Sequence, residues 1–393
     1  MASSLSSFLV CCGTKEIELD LYNKYHSFVD FYSNSPKNNI EIQSKRSIKL
    51  IKIYLNNSNN KYYSEILNFV LSDLKNEKDP VFKINIFIAD DISKINDKDI
   101  PEYFFHRYRY DVFPDNCQMD NYPPCIQIEL SSICNYRCVF CYQKYLNKYK
   151  DINGVMDLKT YKNIIDKIEG KVQFVSLASR GEPFLCKNIN EMLKYSKGKF
   201  LSLKINTNAS VLKEDNIHAI LRGGVATIVF SVDAVDKERY ESMRINGNFE
   251  KVIKNIEKFQ NIREKYYSNS KIISRISGVK IDKFQQIEEM KSFWGSLVDQ
   301  VVMVSYCPWE NTYELEKNGI IDSCKELWRR MFIWHNGNIN PCENDFLSFL
   351  SIGNVNDGSI KDMWGSLSYE KIRKKHIDKK RYKLEPCSRC LFG

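Results

Sequence analysis

The sequence predicts an α/β protein built on six parallel strands with crossover helices, an open and partial barrel. Three observations carry this. From residue 126, short apolar runs alternate regularly with helical patterns, the rhythm of a parallel sheet. The 393 residues are 43% hydrophobic and 27% charged, ordinary for a globular chain and long enough for two or three domains. Only 16 Gly and 10 Pro are present, which excludes collagen-like or long disordered stretches.

The charge balance and cysteine content bound the partners. Lys+Arg 58 against Asp+Glu 49 leaves +9, too mild to imply nucleic acid. No apolar run approaches the roughly 18 residues of a membrane span. The apolar piece Phe8–Cys12 lacks a basic n-region and a cleavage site, so no signal peptide is expected and the cytoplasm is the default. Thirteen Cys there point to metal ligands and buried thiols, not to a disulfide framework.

Taken in order, residues 1–118 read as a small α/β accessory region of unassigned role. Alternation marks strands at Ile48–Tyr54 and Phe82–Ile88, and helical spacing marks Tyr62–Leu74. Residues 119–306 form the core, with strands at Ile126–Leu130, Gln173–Ser179, Leu201–Thr207, Thr227–Asp233, Ile272–Val279 and Val301–Tyr306. Helices fall at Leu158–Ile168, Asn188–Tyr195 and Phe249–Ile262. Ligands should lie at the carboxyl ends of such strands. In 307–393 the rhythm breaks into short strands, turns and clustered Cys, with a hairpin turn at Trp334–Asn338, and a third domain is placed there.

Directly after the first core strand stands Cys134-Asn135-Tyr136-Arg137-Cys138-Val139-Phe140-Cys141. Three soft thiolates on one loop can bind three irons of a [4Fe–4S] cube and leave the fourth open; a zinc or ferredoxin-type site wants four. The C-x3-C-x2-C loop with Phe140 before the last Cys resembles the signature of the radical S-adenosylmethionine (radical SAM) superfamily. The resemblance covers residues 126 to about 306 and implies a partial (β/α)6 barrel. It further implies that SAM chelates the open iron and is reductively cleaved to a 5′-deoxyadenosyl radical, with electrons from an external donor such as flavodoxin or ferredoxin.

Further segments resemble the family at the ends of later strands. Arg180-Gly181-Glu182-Pro183 resembles its GGEP motif, with Arg180 in place of the first Gly. The resemblance makes Gly181 and Glu182 the contact for the methionine ammonium, and a carboxylate suits an ammonium. Asn206-Thr207-Asn208 resembles the TNG segment, although both Asn could equally cap a turn. Ser231-Val232-Asp233-Ala234 resembles the S-x-D-G segment, with Ser231 the first ribose candidate and Asp233 the next. Arg244, Arg275 and Ser277 could meet the SAM carboxylate or serve the core edge.

The tail carries Cys324, then Gly337-Asn338-Ile339-Asn340-Pro341-Cys342, then Cys387-Ser388-Arg389-Cys390, a complete four-thiol set. It resembles the auxiliary-cluster domain of radical SAM enzymes called SPASM. The chain stops at Gly393 without further Cys, so the shortened "twitch" form with one auxiliary [4Fe–4S] cluster is expected. Structural zinc would use the same four thiolates; the neighbouring barrel favours iron–sulfur. Cys11, Cys12, Cys117, Cys125, Cys186 and Cys307 remain as buried thiols, and Cys307 could also substitute as a ligand. The basic run Lys371–Lys383 reads as a solvated helix face, with phosphate or RNA binding as the other option.

The function expected is a radical SAM oxidoreductase. It would abstract hydrogen from a small hydroxylated metabolite, sugar- or aminocyclitol-like, with the auxiliary cluster accepting the second electron. The alternative is a maturase acting on a ribosomally made peptide, with residues 1–118 binding its leader. A non-catalytic iron–sulfur carrier has no use for an open iron site. Substrate, catalytic base and oligomeric state are not encoded in these motifs.

Overall fold

The computed structural model describes residues 30–35, 39–76, 78–146, 149, 152–281 and 285–392. The Phe8–Cys12 piece and its two Cys lie outside the described residues. In chain order the strands are β1 Asp30–Ser33, β2 Cys125–Ile128, β3 Arg137–Cys138 and β4 Phe174–Leu177. They continue with β5 Ser202–Thr207, β6 Val225–Ser231, β7 Arg244–Ile245 and β8 Ile273–Lys280. The last are β9 Gln300–Ser305, β10 Arg330–Ile333, β11 Asn338–Asn340 and β12 Gly353–Asn354.

The expected core is present. Strands β2, β4, β5, β6, β8 and β9 lie side by side in sequence order, all parallel. Helices cross between them because their starts are capped and one face is apolar. Asp157 accepts from the Thr160 amide at 2.9 Å to open Leu158–Ile168, and Asn248 accepts from Lys251 at 2.8 Å to open Phe249–Tyr266. Alternate strand residues such as Ile126, Val175, Leu177, Leu203, Ile205, Phe230 and Ile276 pack under those helices. The opposite, concave face carries Gln127, Ser176, Lys204, Asn206, Thr227 and Ser231. A sheet covered on both faces by apolar layers would not be polar there; that face is the one left for a ligand.

The tail does not form a separate layer. Strand β10 adds in parallel beside β2, and β11 and β12 follow antiparallel, so the sheet runs on through the first core strand. The turn at Trp334–Asn338 joins β10 and β11 as expected, with Gly337 at φ +84° and the Trp334 amide donating to the Asn338 carbonyl at 2.9 Å. At the other edge β1 pairs antiparallel with β9.

Two expectations fail near the start. Ile48–Tyr54 lies inside the helix Ile40–Asn57, and Phe82–Ile88 is irregular up to Asn85 and then enters the helix Ile86–Lys94. Both runs are also apolar at helical spacing, and Asn39 and Asn85 cap the helices by accepting from Ile42 and Ile88. With Lys61–Lys75 and Ile100–Asp111 these helices bury their own core, including Ile51, Leu67, Val70, Ile88 and Phe104. Apart from β1, the described accessory region is helical. It packs on the amino ends of the core strands: the His106 ring stacks on Phe174 of β4 at 3.5 Å, and Tyr103 tilts against the same ring.

Candidate iron–sulfur and S-adenosylmethionine site

The three-thiol loop emerges at the carboxyl end of β2 and is pinned by the β3–β7 ribbon. Cys138 pairs with Arg244, and the Val139 amide donates to the Met243 carbonyl at 3.0 Å. The loop is held against the next strand end as well: the Glu182 amide donates to the Ile133 carbonyl at 2.9 Å. Gly181 is required by this approach, since a Cβ there would sit 2.3 Å from the Ser131 carbonyl oxygen.

Cys134, Cys138 and Cys141 share one low-dielectric pocket. Burial pushes all three thiols up, Cys134 to about 12; Cys138 raises both Cys134 and Cys141, and Cys134 raises Cys141. Donors are already aimed at the sulfurs: Tyr136 N–H at 3.4 Å and Asn208 Nδ2 at 3.9 Å from Cys134, and Arg244 Nη1 at 3.7 Å from Cys138. Converging buried thiols with N–H donors suit cations that fix them as thiolates. The residues therefore fit a cluster.

The polar residues expected around SAM divide into groups. Glu182 is buried, with its carboxylate accepting from the Thr207 hydroxyl and the Asn208 amide, each at 2.7 Å, and from the Phe184 amide at 3.2 Å. Burial lifts it to about 7, opposed by those hydrogen bonds. One acceptor direction of the carboxylate remains beyond these three. Asn208 combines both expected roles: its Oδ1 caps Ser210 while its Nδ2 faces Cys134 and Asn135. Phe140 is buried, with the Arg244 guanidinium 5.6 Å from its ring centroid. Ser231 stands half-buried at the end of β6, opposite Ser277 of β8.

Asp233 and Arg275 are both tied to protein partners. Asp233 is engaged at both oxygens, with Arg244 Nε at 2.5 Å and the Val279 amide at 2.8 Å, so it orients the arginine. Arg275 lies low on β8, bonded to Gln300 at 2.5 Å and drawn to Asp90 and Asp91 of the helical region, away from the strand ends where SAM is expected.

The four tail thiols lie within electrostatic reach of one another. Cys324, Cys342 and Cys387 are each raised by burial and by neighbouring thiols of the same set, Cys390 among them, Cys324 to about 11. The Asn344 amide donates to Cys342 Sγ at 3.3 Å, and Asn344 Nδ2 to Cys390 Sγ at 3.5 Å. Cys307 sits apart at the end of β9, buried beside Tyr306.

Several residues here carry no sequence signal. The basic run splits: its lysines lie mostly outward, whereas Arg381 is buried and donates to the carbonyls of Asp322, Cys390 and Phe392 at 3.1, 3.0 and 2.5 Å. His376 Nδ1 accepts from the Cys324 amide at 3.2 Å. Arg180, where the family pattern has Gly, is buried and bidentate to Glu129, both contacts 2.6 Å, and donates to the Phe346 carbonyl at 2.9 Å. Glu129 also accepts from His335 Nδ1 at 3.0 Å, and the Trp334 ring lies 4.3 Å from the Arg180 guanidinium. Between the two thiol sets, Tyr142 stacks on Phe346 at 5.3 Å.

Comparison with known proteins agrees with this geometry. The family model described as the radical SAM superfamily matches residues 128–293, and that of the iron–sulfur cluster-binding SPASM domain matches 324–391. The chain is 25% identical over 206 residues to GTP 3′,8-cyclase of Clostridium botulinum, half of this chain and 61% of the cyclase's length. It is 21% identical over 280 residues to the S-adenosyl-L-methionine-dependent 2-deoxy-scyllo-inosamine dehydrogenase of Niallia circulans, 69% of this chain and 94% of that one. In fold it is similar to Streptococcus suis SuiB bound to precursor peptide SuiA, with a TM-score of 0.51 and 16% identity over 84% of this chain and 82% of that one. Among the described residues no helix is long and apolar enough to cross a membrane. The two matched domains imply [4Fe–4S] clusters and SAM as cofactors. Residues 128–293 thus match a radical SAM domain and residues 324–391 an iron–sulfur SPASM domain, and the two together support a radical SAM enzyme with a C-terminal SPASM-type domain.

Proposed function

We propose that this enzyme oxidises a small hydroxylated metabolite, sugar- or aminocyclitol-like, by two electrons, reduced in turn by a flavodoxin- or ferredoxin-type donor. The observation that carries the reading is the pairing of an open three-thiol set with a separate closed four-thiol set. Cys134, Cys138 and Cys141 would hold the cluster that binds SAM, and Cys324, Cys342, Cys387 and Cys390 an auxiliary one. Bound together, these groups supply a hydrogen-abstracting radical and an acceptor for the second electron. Residues 1–118 act as an accessory region, 119–306 as the core and 307–393 as the auxiliary domain.

The protein's own part is placement. Glu182 ties the strand ends together with one acceptor left for an ammonium, and Ser231 offers a hydroxyl at the same edge. Arg244, oriented by Asp233, sets positive charge beside Cys138. The match along 94% of a 2-deoxy-scyllo-inosamine dehydrogenase supports the small-molecule reading. The peptide-maturase reading draws on fold likeness alone, to SuiB among others, and ranks second.

The test is anaerobic incubation of reconstituted enzyme with SAM, reductant and a panel of polyols. Keto product and deoxyadenosine in equal amounts are expected from at least one polyol. Deoxyadenosine without keto product from any of them contradicts the reading.

A further inference from the structure

We infer that the concave face of the sheet is a substrate pocket for a hydroxylated metabolite carrying one anionic group, with Lys204 as the residue that receives the anion. This rests on the small-molecule reading and names its substrate class.

The register sets the pocket. One row of side chains crosses the sheet through direct strand partners: Asn340 beside Phe332, Phe332 beside Gln127, Gln127 beside Ser176, Ser176 beside Lys204, Lys204 beside Thr227. Their sequence neighbours Ile126, Val175, Leu203, Ile205 and Ile228 pack under the helices, so this row faces the concave side. The convergence has independent support. The Lys204 ammonium feels Arg330 on β10, Arg275 on β8, Cys125 on β2 and Glu343 beyond β11, residues that meet only inside the curve of the sheet.

The face that carries this row, with Asn206 one step further along β5, is largely polar and incompletely partnered. Ser176 Oγ, Asn206 Oδ1 and both side-chain polar atoms of Asn340 are buried without a hydrogen-bond partner. Buried polar atoms left open in this way mark where a ligand or ordered water completes them. Hydroxyl groups of a substrate can serve both the acceptors and the donor. The cations divide: Arg275 is bonded to Gln300, and Arg330 to Tyr110 at 2.7 Å and Glu326 at 3.4 Å. Glu343 takes the Gln127 amide. Lys204 has no hydrogen bond or ion pair among the described residues, and burial with two nearby arginines pulls its pKa down to about 8. A half-buried ammonium in that state gains by meeting an anion. The helical region closes the amino end of the sheet beneath it, so entry is from the carboxyl edge where the first thiol loop stands.

The experiment measures binding of gluconate, glucose 6-phosphate, inorganic phosphate and neutral myo-inositol to the full-length reconstituted enzyme with SAM, for wild type and for Lys204→Arg, Lys204→Gln and Lys204→Met. Wild type is expected to bind an anionic probe at least tenfold tighter than inositol. Lys204→Arg should keep that preference, and Gln and Met should lose it. Preference for gluconate identifies a carboxylate; preference for both phosphate probes identifies a phosphate. No anionic preference in wild type overturns the inference, as does a preference that survives in the Gln or Met variant. Should either variant fail to hold iron, the wild-type comparison still decides. Anion preference with no keto product from any polyol would sink the oxidation reading alone; keto product without anion preference would sink this inference alone.

Discussion

Arg180 occupies a position where the family pattern has Gly, and its guanidinium makes a buried fork onto Glu129 that also engages His335. Breaking one side of such a pair leaves the other charge buried and alone, at a cost of about 3–5 kcal/mol. Arg180→Met is therefore expected to lower stability by that order in urea unfolding, and the double variant Arg180→Met/Glu129→Gln to recover much of it. The carboxyl of Glu129 is held down to about 2, mainly by Arg180 against the opposing effect of burial. A depressed carboxyl contributes stability above its unfolded value near 4.5 and loses it as pH falls toward 2. The wild-type advantage over Glu129→Gln should thus be full at pH 6 and shrink through that window; an advantage independent of pH contradicts the assignment. The sequence singled out the seven candidate thiols and Glu182 because they stand in short motifs or in a Cys-rich tail. It could not name Glu129, His335 or Arg381, whose partners lie far along the chain, 206 residues from Glu129 in the case of His335.

At the scale of elements, the ribbon and the buried arginines set each thiol loop separately. Arg244 links Asp233 to Cys138, and Arg381 fastens the terminal Cys pair to the segment carrying Cys324. Arg244→Ala is expected to shed iron from the first set and Arg381→Ala from the second, each moving the total from about eight irons toward about four. Iron analysis alongside electron paramagnetic resonance of the reduced protein distinguishes the two; loss of both clusters in either variant would show that the sets are not independent. Strand and helix positions in the core were legible because buried apolar residues recur at every second position in strands such as Ser202–Thr207, and helical spacing fills the segments between strands. The failures at Ile48–Tyr54 and Phe82–Ile88 have one cause. Alternation and helical spacing coincide in runs that short, and the Asn caps decided for helix.

At the scale of the molecule, the accessory helices form the floor of the sheet and β1 extends its far edge. A chain beginning at residue 119 would expose Phe174 and leave Arg275 without Asp90 and Asp91. It should aggregate or fail to retain iron; a monomeric truncated chain with full iron would make the region a dispensable appendage. The tail, read from the sequence as a third domain, joins the core sheet through β10. Only pairing geometry shows this, because β10 and β2 are 205 residues apart at Arg330 and Cys125. That continuity places the two thiol sets on one scaffold, with Tyr142, Phe346, Arg180 and Glu129 packed between them.

The central claim is that one scaffold holds two distinct four-iron clusters. Iron, sulfide and zinc per chain after anaerobic reconstitution test it, for wild type and for the variant with Cys134, Cys138 and Cys141 all changed to Ala. The account predicts about eight irons and no zinc, falling to about four irons in the triple variant. About four irons with one zinc in wild type would make the tail structural and contradict it.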